Sequence, residues 1–516
     1  MARTLQYWPD TGLWVDWSGM GLDESFLNAM REKIASAIEG MRALEGGSIA
    51  NPDEGRMVGH YWLRAPQLAP TAALRGEIES CLRSVKDFAA RVHGGDIRTE
   101  KGGVFRHVIV AGIGGSSLGP MFVSEALGGP DDKMDLFFMD NTDPAGMDTV
   151  FTTLRGDLDA TLAIVISKSG GTVETRNCML EAKAFYESNG LSFSAHAVCV
   201  TGAGSALDKT AQTEGWLARF PMWDWVGGRT SVTSAVGLLP LALQGIDIDG
   251  FLAGAAACDA LGRREATDDN PALLLALSWY RCTGGKGGAT QVVLPYKDSL
   301  ALFAKYLQQL IMESLGKELD LDGKTVHQGL AVMGNKGTSD QHSYAQQLVG
   351  GPDNIFVTFV RVLHDRAGTS ITVGEESTAG DYLNAFLLGT KKALEAHGRR
   401  TLLLTVPEVN AYQVGQLIAL FERAVGLYAL MIRINAYHQP AVEHGKKAAG
   451  SLIDLKNRAV ALLLNEKRPL TARAAAEKLG ADERDVFSLL LHQAANDDRL
   501  RFEARSPVEE SVFAAK

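Results

Sequence analysis

Short apolar runs at residues 108–111, 136–139, 162–166 and 197–201 alternate with stretches in which apolar residues recur at helical spacing. Strands without a polar face, joined through helices, bury themselves as a parallel sheet covered on both sides. The alternation resumes at 291–294, 355–362 and 402–406. A chain of 516 residues is too long for one core, and the two series predict two doubly wound α/β lobes. Ligands of open parallel sheets bind beyond the carboxyl ends of the strands. The loops after residues 111 and 166 are therefore where function is expected.

Those loops have the composition of anion sites. Ser167, Lys168, Ser169, Gly170, Gly171 and Thr172 follow the third apolar run, and a helical period starts at once and lasts to residue 186. Hydroxyls and unpaired amides converge at such a helix start, where the helix dipole also favours negative charge. An ordinary strand-to-helix turn uses the same residue types. The loop from Gly112 to Pro120 is glycine-rich, but Ser117 stands where a dinucleotide fingerprint requires its third glycine, and no P-loop pattern occurs. Two strand-end loops able to face a sugar phosphate remain.

Two amphipathic helices, 23–44 and 70–92, open the chain, with a Gly- and Pro-containing connection between them. A long helix is predicted over 299–316, with Leu302, Tyr306 and Leu310 on one stripe. At about 100° per residue, Glu313 falls within about 20° of Leu302. A carboxylate on that side either bends into solvent at the helix end or is a partly desolvated group suited to general-base work.

Six segments then join these observations: Gly112 to Pro120, Ser167 to Thr175, Asp224 to Ser231, Met312 to Lys317, Gly337 to Ser343 and Gln439 to Lys446. Their order resembles that of the glucose-6-phosphate isomerases over about residues 100–450. Four positions depart from the family pattern: Thr230 in place of an aromatic residue, His438 in place of Asp, Ala441 in place of Gly, and Gly171 where Thr is common. The resemblance implies two sugar-isomerase (SIS-type) lobes and the interconversion of glucose 6-phosphate and fructose 6-phosphate, a reaction of glycolysis and gluconeogenesis. It implies Glu313 as the base moving a proton between C2 and C1, Arg229 as the stabiliser of the enediolate, and His342 and Lys446 for ring opening. It further implies Ser167, Lys168, Ser169 and Thr172 at the phosphate, Ser116, Glu174 and Gln439 along the sugar, no cofactor, and a homodimer in which His342 crosses the interface. The alternative is a noncatalytic sugar-phosphate sensor of the same superfold, which would need no base at 313.

Other classes fit poorly. A net charge of −10 disfavours nonspecific nucleic-acid binding. No H-x-H or C-x-x-C pattern supports a metal site, and the five scattered cysteines, Cys81, Cys178, Cys199, Cys258 and Cys282, read as reduced thiols. No uninterrupted apolar run approaches the ~20 residues of a bilayer span, and residues 1–17 lack a signal pattern, so a cytoplasmic location is expected. The expected division is an N-terminal helical segment over 1–100, lobes over 101–288 and 289–450, and an appendage over 451–516. In that appendage Thr471 and Asp482 cap two short helices, and residues 500–502 form a strand, an order like that of a small winged helix. Eight basic residues offset eight acidic ones between 466 and 505, a poor footprint for DNA, and a packing or oligomerisation role is expected.

Overall fold

A computed structural model describes residues 4–374, 376–466 and 468–516; the side chains of Glu443, His444, Lys446 and Lys447 lie outside the described set. The chain forms two compact units, Met1–His438 and Gln439–Lys516. In the first unit, five parallel strands make one sheet in the order Asp135–Met139, His107–Ala111, Thr161–Ser167, Ala197–Thr201, Ala218–Pro221. Thr161–Ser167 is buried along its whole length, as a central strand covered on both faces must be. The strand earliest in sequence lies second in the sheet. Strand order therefore reverses between His107–Ala111 and Thr161–Ser167, and a ligand crevice opens where the two flanking connections diverge. Both loops singled out from the sequence leave the sheet there.

The second sheet runs Leu5–Trp8, Leu13–Asp16, Arg400–Val406, Ile355–Val362, Thr290–Pro295, Ala331–Met333. The last four strands are parallel, and the first two form an antiparallel hairpin laid against Arg400–Val406. The expectation of a purely helical N-terminal segment is corrected here. Residues 5–16 close one edge of the second sheet, and the first long helix, Glu24–Glu45, begins only after Asp23 caps it by accepting from the Phe26 amide. Thr71 caps Ala72–Gly94 in the same way.

One long helix is apolar on average, though Gln413, Gln416, Glu422 and Arg423 interrupt it. Helix Ala411–Met431 has 21 residues and a mean hydropathy of 1.4 over its most apolar window, long enough to span a bilayer, but 94% of that window is buried inside the protein. It packs against Ile248–Gly262 and Pro271–Thr283 as a core helix. Its two charged residues are paired: Arg423 Nε lies 2.9 Å from Asp259, its Nη2 lies 2.7 Å from Glu45, and Arg64 reaches Asp259 at 2.6 Å and also bonds Glu422. With Arg263 at 2.8 Å from Glu45, three guanidinium groups meet three carboxylates.

Gln439–Lys516 has its own core, built from Leu455, Ala459, Leu463, Ala475, Val486, Leu490 and Phe513 among others. Its elements run helix Pro440–Asn465, strand Leu470–Thr471, helices Ala472–Leu479 and Glu483–Asn496, and strands Leu500–Glu503 and Val512–Ala515. The three strands pair antiparallel with Val512–Ala515 in the middle. Thr471 and Asp482 cap their helices through side-chain oxygens. The domain boundary expected at residue 450 falls inside Pro440–Asn465.

Candidate functional site

At the end of Thr161–Ser167 the chain turns through Gly170, which has φ of +68° and leaves no room for a side chain, since a Cβ would lie 2.4 Å from the Leu207 amide nitrogen. Helix Val173–Ser188 then starts with Thr172 at its N-cap, whose hydroxyl makes no capping bond, so the first-turn amides lack that side-chain partner. The Ser167 hydroxyl and Glu174 Oε2 are both buried and without a hydrogen-bond partner in the structure. The Ser169 hydroxyl accepts from the Gly171 amide at 3.2 Å. Lys168 does not point into this turn with its charge. Its ammonium donates to the main-chain oxygens of Asp224 at 2.9 Å and Val226 at 3.1 Å, and burial lowers its pKa. The lysine thus ties the phosphate-type loop to the segment that carries Arg229.

The Gly112 loop meets that same segment back to back. Gly115 packs so closely on Gly228 that a Cβ at 115 would lie 2.0 Å from the Gly228 oxygen and 2.8 Å from the Arg229 nitrogen. Main chain cannot yield as a flexible side chain can. The glycines that fail as a dinucleotide fingerprint therefore serve to bring Ser116 and Arg229 together. Gly115→Ala is expected to lower kcat at least about tenfold and to destabilise the fold by about 1–3 kcal/mol. Paired kinetic and urea-unfolding measurements check this, and wild-type values in both would show that the two loops can separate.

Arg229, in the 3-10 turn Gly228–Thr230, is nearly enclosed, its side chain 5% exposed. Its Nη2 donates to the main-chain oxygens of Ala436 at 2.9 Å and His438 at 3.0 Å. Its Nη1 lies 3.0 Å from Glu313 Oε2. A guanidinium held on two carbonyls has little freedom left, so the direction of its third contact is set by the fold. The carboxylate it meets is 24% exposed, which rules out the reading in which Glu313 swings fully into solvent.

The element carrying Glu313 differs from the uniform helix expected over 299–316. Asp298–Leu300 is a 3-10 turn, Phe303–Leu307 is α-helical, and Gln308–Glu313 is a π-helical stretch. Wider π turns shift the angular phase of everything after them, and they recur at functional sites. Gln309 and Glu313 end on one side, with Gln309 Nε2 donating to Glu313 Oε2 at 3.2 Å. After the π stretch the chain enters strand Lys317–Leu319, and the buried Lys317 ammonium donates back to the main-chain oxygen of Glu313 at 2.7 Å.

Gln309, Lys317 and Asp53 were not legible as site residues. Asp53 lies on the 51–56 turn, where its Oδ2 accepts from Asn435 and stands 3.7 Å from His438 Nε2. Burial, Lys317 and Arg229 lower the pKa of His438 while Asp53 opposes them. The sequence hints were His438, as a departure from the family pattern, and the place of Lys317 at the end of the segment Met312 to Lys317. His342 is exposed in the turn Ser339–His342 and has no hydrogen bond or ion pair to Glu313 or Arg229 among the described residues. Gln439 occupies the N-cap position of helix Pro440–Asn465 in the second unit without a side-chain capping bond, and the Lys446 side chain lies outside the described residues.

Comparison with known proteins identifies the family. Residues 16–384 match the family model described as phosphoglucose isomerase. A glucose-6-phosphate isomerase of Desulfitobacterium hafniense is 56% identical over 513 residues, covering 99% of this chain and 96% of that one. A glucose-6-phosphate isomerase of Geobacter sulfurreducens is 57% identical over 511 residues, covering 98% and 97%. The crystal structure of a glucose-6-phosphate isomerase from Chlamydia trachomatis superposes with a TM-score of 0.78 at 28% identity, covering 88% of this chain and 92% of that one. With two parallel-sheet lobes, a carboxylate and guanidinium held together at the strand ends, and a family model matched over most of its length, this chain belongs to the phosphoglucose isomerase family.

Proposed function

We propose that Glu313 is the base of this enzyme and Arg229 its electrostatic partner. The chain is an aldose-ketose isomerase that interconverts glucose 6-phosphate and fructose 6-phosphate. The observation that carries the assignment of roles is the 3.0 Å contact between Arg229 Nη1 and Glu313 Oε2. Once the sugar ring is open, Glu313 takes the proton from C2 and returns it to C1. Between the two transfers, the C1–C2 unit is an enediolate whose oxygens carry the negative charge. A guanidinium already aimed at the base needs no reorganisation to meet that charge, and it stays protonated throughout. The proton is returned to the same molecule and no electrons leave it, so the step balances without a cofactor.

Ser167, Ser169, Thr172 and the amides around Lys168 hold the phosphate; the free Thr172 hydroxyl and the unpartnered Ser167 hydroxyl support this reading. Binding energy from that nonreacting group fixes the sugar over Glu313. Ser116, Glu174 and Gln439 line the sugar, while His342 and Lys446 serve ring opening. The exposure of His342 supports its acting on the site of a second copy, in a cytoplasmic homodimer. The lobes are assigned to 101–288 and 289–450. The element order and central-strand pairing of the C-terminal segment support a winged-helix-like appendage with a packing role.

A coupled assay of fructose 6-phosphate conversion tests the catalytic reading, and tight binding of a substrate analogue without conversion would favour a sensor. Mixing Glu313→Gln with His342→Ala tests the dimer. Two inactive chains that exchange subunits should regain about a quarter of wild-type activity, because half the dimers carry one intact composite site. No recovery after confirmed exchange would place His342 and Glu313 of one chain in the same site.

A further inference from the structure

The residues just behind the base contain a cation that the assignment so far leaves without a role. Lys317 is 5% exposed, and among the described residues no carboxylate lies within ion-pair distance of its ammonium. A lysine in that position has given up water without gaining a counter-ion, which is costly unless the charge or its placement serves something. Its main chain is fixed, because Lys317 opens a strand paired with Gln328 across Thr325–Gln328. Its side chain turns back four residues to the Glu313 carbonyl at 2.7 Å.

We propose that Lys317 is a positioning residue for the isomerisation: it anchors the main chain of Glu313 at the end of the π stretch and adds a second positive charge beside Arg229. The proposal rests on Glu313 being the base. A purely structural account is available, since lysines commonly satisfy the last carbonyls of a helix. Two observations favour more than a cap. The carbonyl it holds belongs to the same residue whose carboxylate meets Arg229, so one residue is gripped at both ends. Among the described residues the ammonium also interacts electrostatically with Arg229 from the turn Gly228–Thr230, Glu313 itself and Asp53 from the 51–56 turn, and it acts on the ring of His438.

The sign of the pH effect follows from that setting. Burial first, then repulsion from Arg229, brings Lys317 down to about 7, against the pull of Glu313 and Asp53. Below that pH both Lys317 and Arg229 bring positive charge to Glu313, and above it Arg229 remains charged while Lys317 does not. In the free enzyme, stabilisation of negative charge at the site should therefore weaken as pH rises through this value, and kcat/KM reports it.

The test compares Lys317→Gln, Lys317→Arg and Glu313→Gln with the wild type, measuring kcat and KM for fructose 6-phosphate from about pH 6 to pH 9. Glutamine can still donate to the Glu313 carbonyl but carries no charge. Lys317→Gln should lower kcat at least about tenfold at pH 6 with KM changed less than about threefold, and should flatten the change in kcat/KM near neutrality. Lys317→Arg, charged at every pH used, should recover most of that loss, keep a constant lead over Lys317→Gln, and gain on the wild type as pH rises through about 7. Wild-type kcat and pH profile in Lys317→Gln would reduce the residue to a helix cap. If glutamine does not fold, the arginine variant decides alone: a profile that still falls through neutrality like the wild type overturns the proposal. Turnover retained in Glu313→Gln would instead refute the base assignment and leave the lysine measurement without its premise.

Discussion

Glu313→Gln is expected to lower kcat by about 10³- to 10⁴-fold, the upper range for loss of a positioned general base, while KM for fructose 6-phosphate stays within about threefold of wild type. Glutamine keeps the shape of the side chain and can still accept from Gln309, whose amide lies 3.2 Å from Glu313 Oε2. What it loses is the capacity to carry a proton between carbons. Binding should survive because the loop proposed to hold the phosphate, Ser167 to Thr172, follows a strand of the other sheet and does not depend on the carboxylate. Circular dichroism and analogue binding, run beside the kinetics, separate chemical loss from misfolding. A drop of less than about tenfold would move the base elsewhere in the site.

The second large effect is on stability. Asp259 is fully buried and joins Arg64 at 2.6 Å to Arg423 at 2.9 Å. Burial disfavours its charge, but Arg423 and Arg64 together outweigh that cost and hold the carboxyl well below the usual range. Asp259→Asn leaves the buried Arg64 and Arg423 and the part-exposed Arg263 facing two carboxylates, and burial already pushes one of these, Glu422, up to about 7 despite Arg64. Breaking a buried pair from one side costs about 3–5 kcal/mol, read as a lower urea midpoint. The pH dependence has a definite sign. A carboxylate depressed in the fold stabilises above its unfolded pKa and loses that contribution as pH falls through the folded value. The gap between wild type and Asp259→Asn should thus be full at pH 7 and narrow below about pH 4. A constant gap down to pH 3 would mean that the asparagine acts through packing instead of charge.

These two side chains also mark how far reading along the chain reaches. Glu313 was legible because its motif survives in one stretch of sequence. Asp259 was not, since its partners stand 195 and 164 residues away, and nothing in the local pattern of helix Ile248–Gly262 marks it. Seven strands of the two sheets were legible to within a residue or two, because a strand buried on both faces is apolar throughout; Ala218–Pro221 and Ala331–Met333, at or near sheet edges, were not read. The hairpin Leu5–Trp8 and Leu13–Asp16 was missed, being two four-residue strands with no such run. Helical periodicity placed Glu313 on the inner side of its helix, but by assuming one uniform turn where the backbone uses three. That error concerned the same stretch that aims Gln309 and Glu313 at the site.

By itself the order of residues determined the two-lobed architecture, the strand ends where open parallel sheets take ligands, and the chemical character of the groups gathered there. Those properties are written in local periodicity and in short contiguous motifs. Only the folded chain decided which groups touch: the guanidinium of Arg229 on Glu313, the ammonium of Lys317 on its carbonyl, Asp53 beside His438, and three arginines closed over three carboxylates. Contacts between distant segments depend on how helices and sheets pack once water is excluded. Packing is a property of the assembled volume, which no window along the sequence contains.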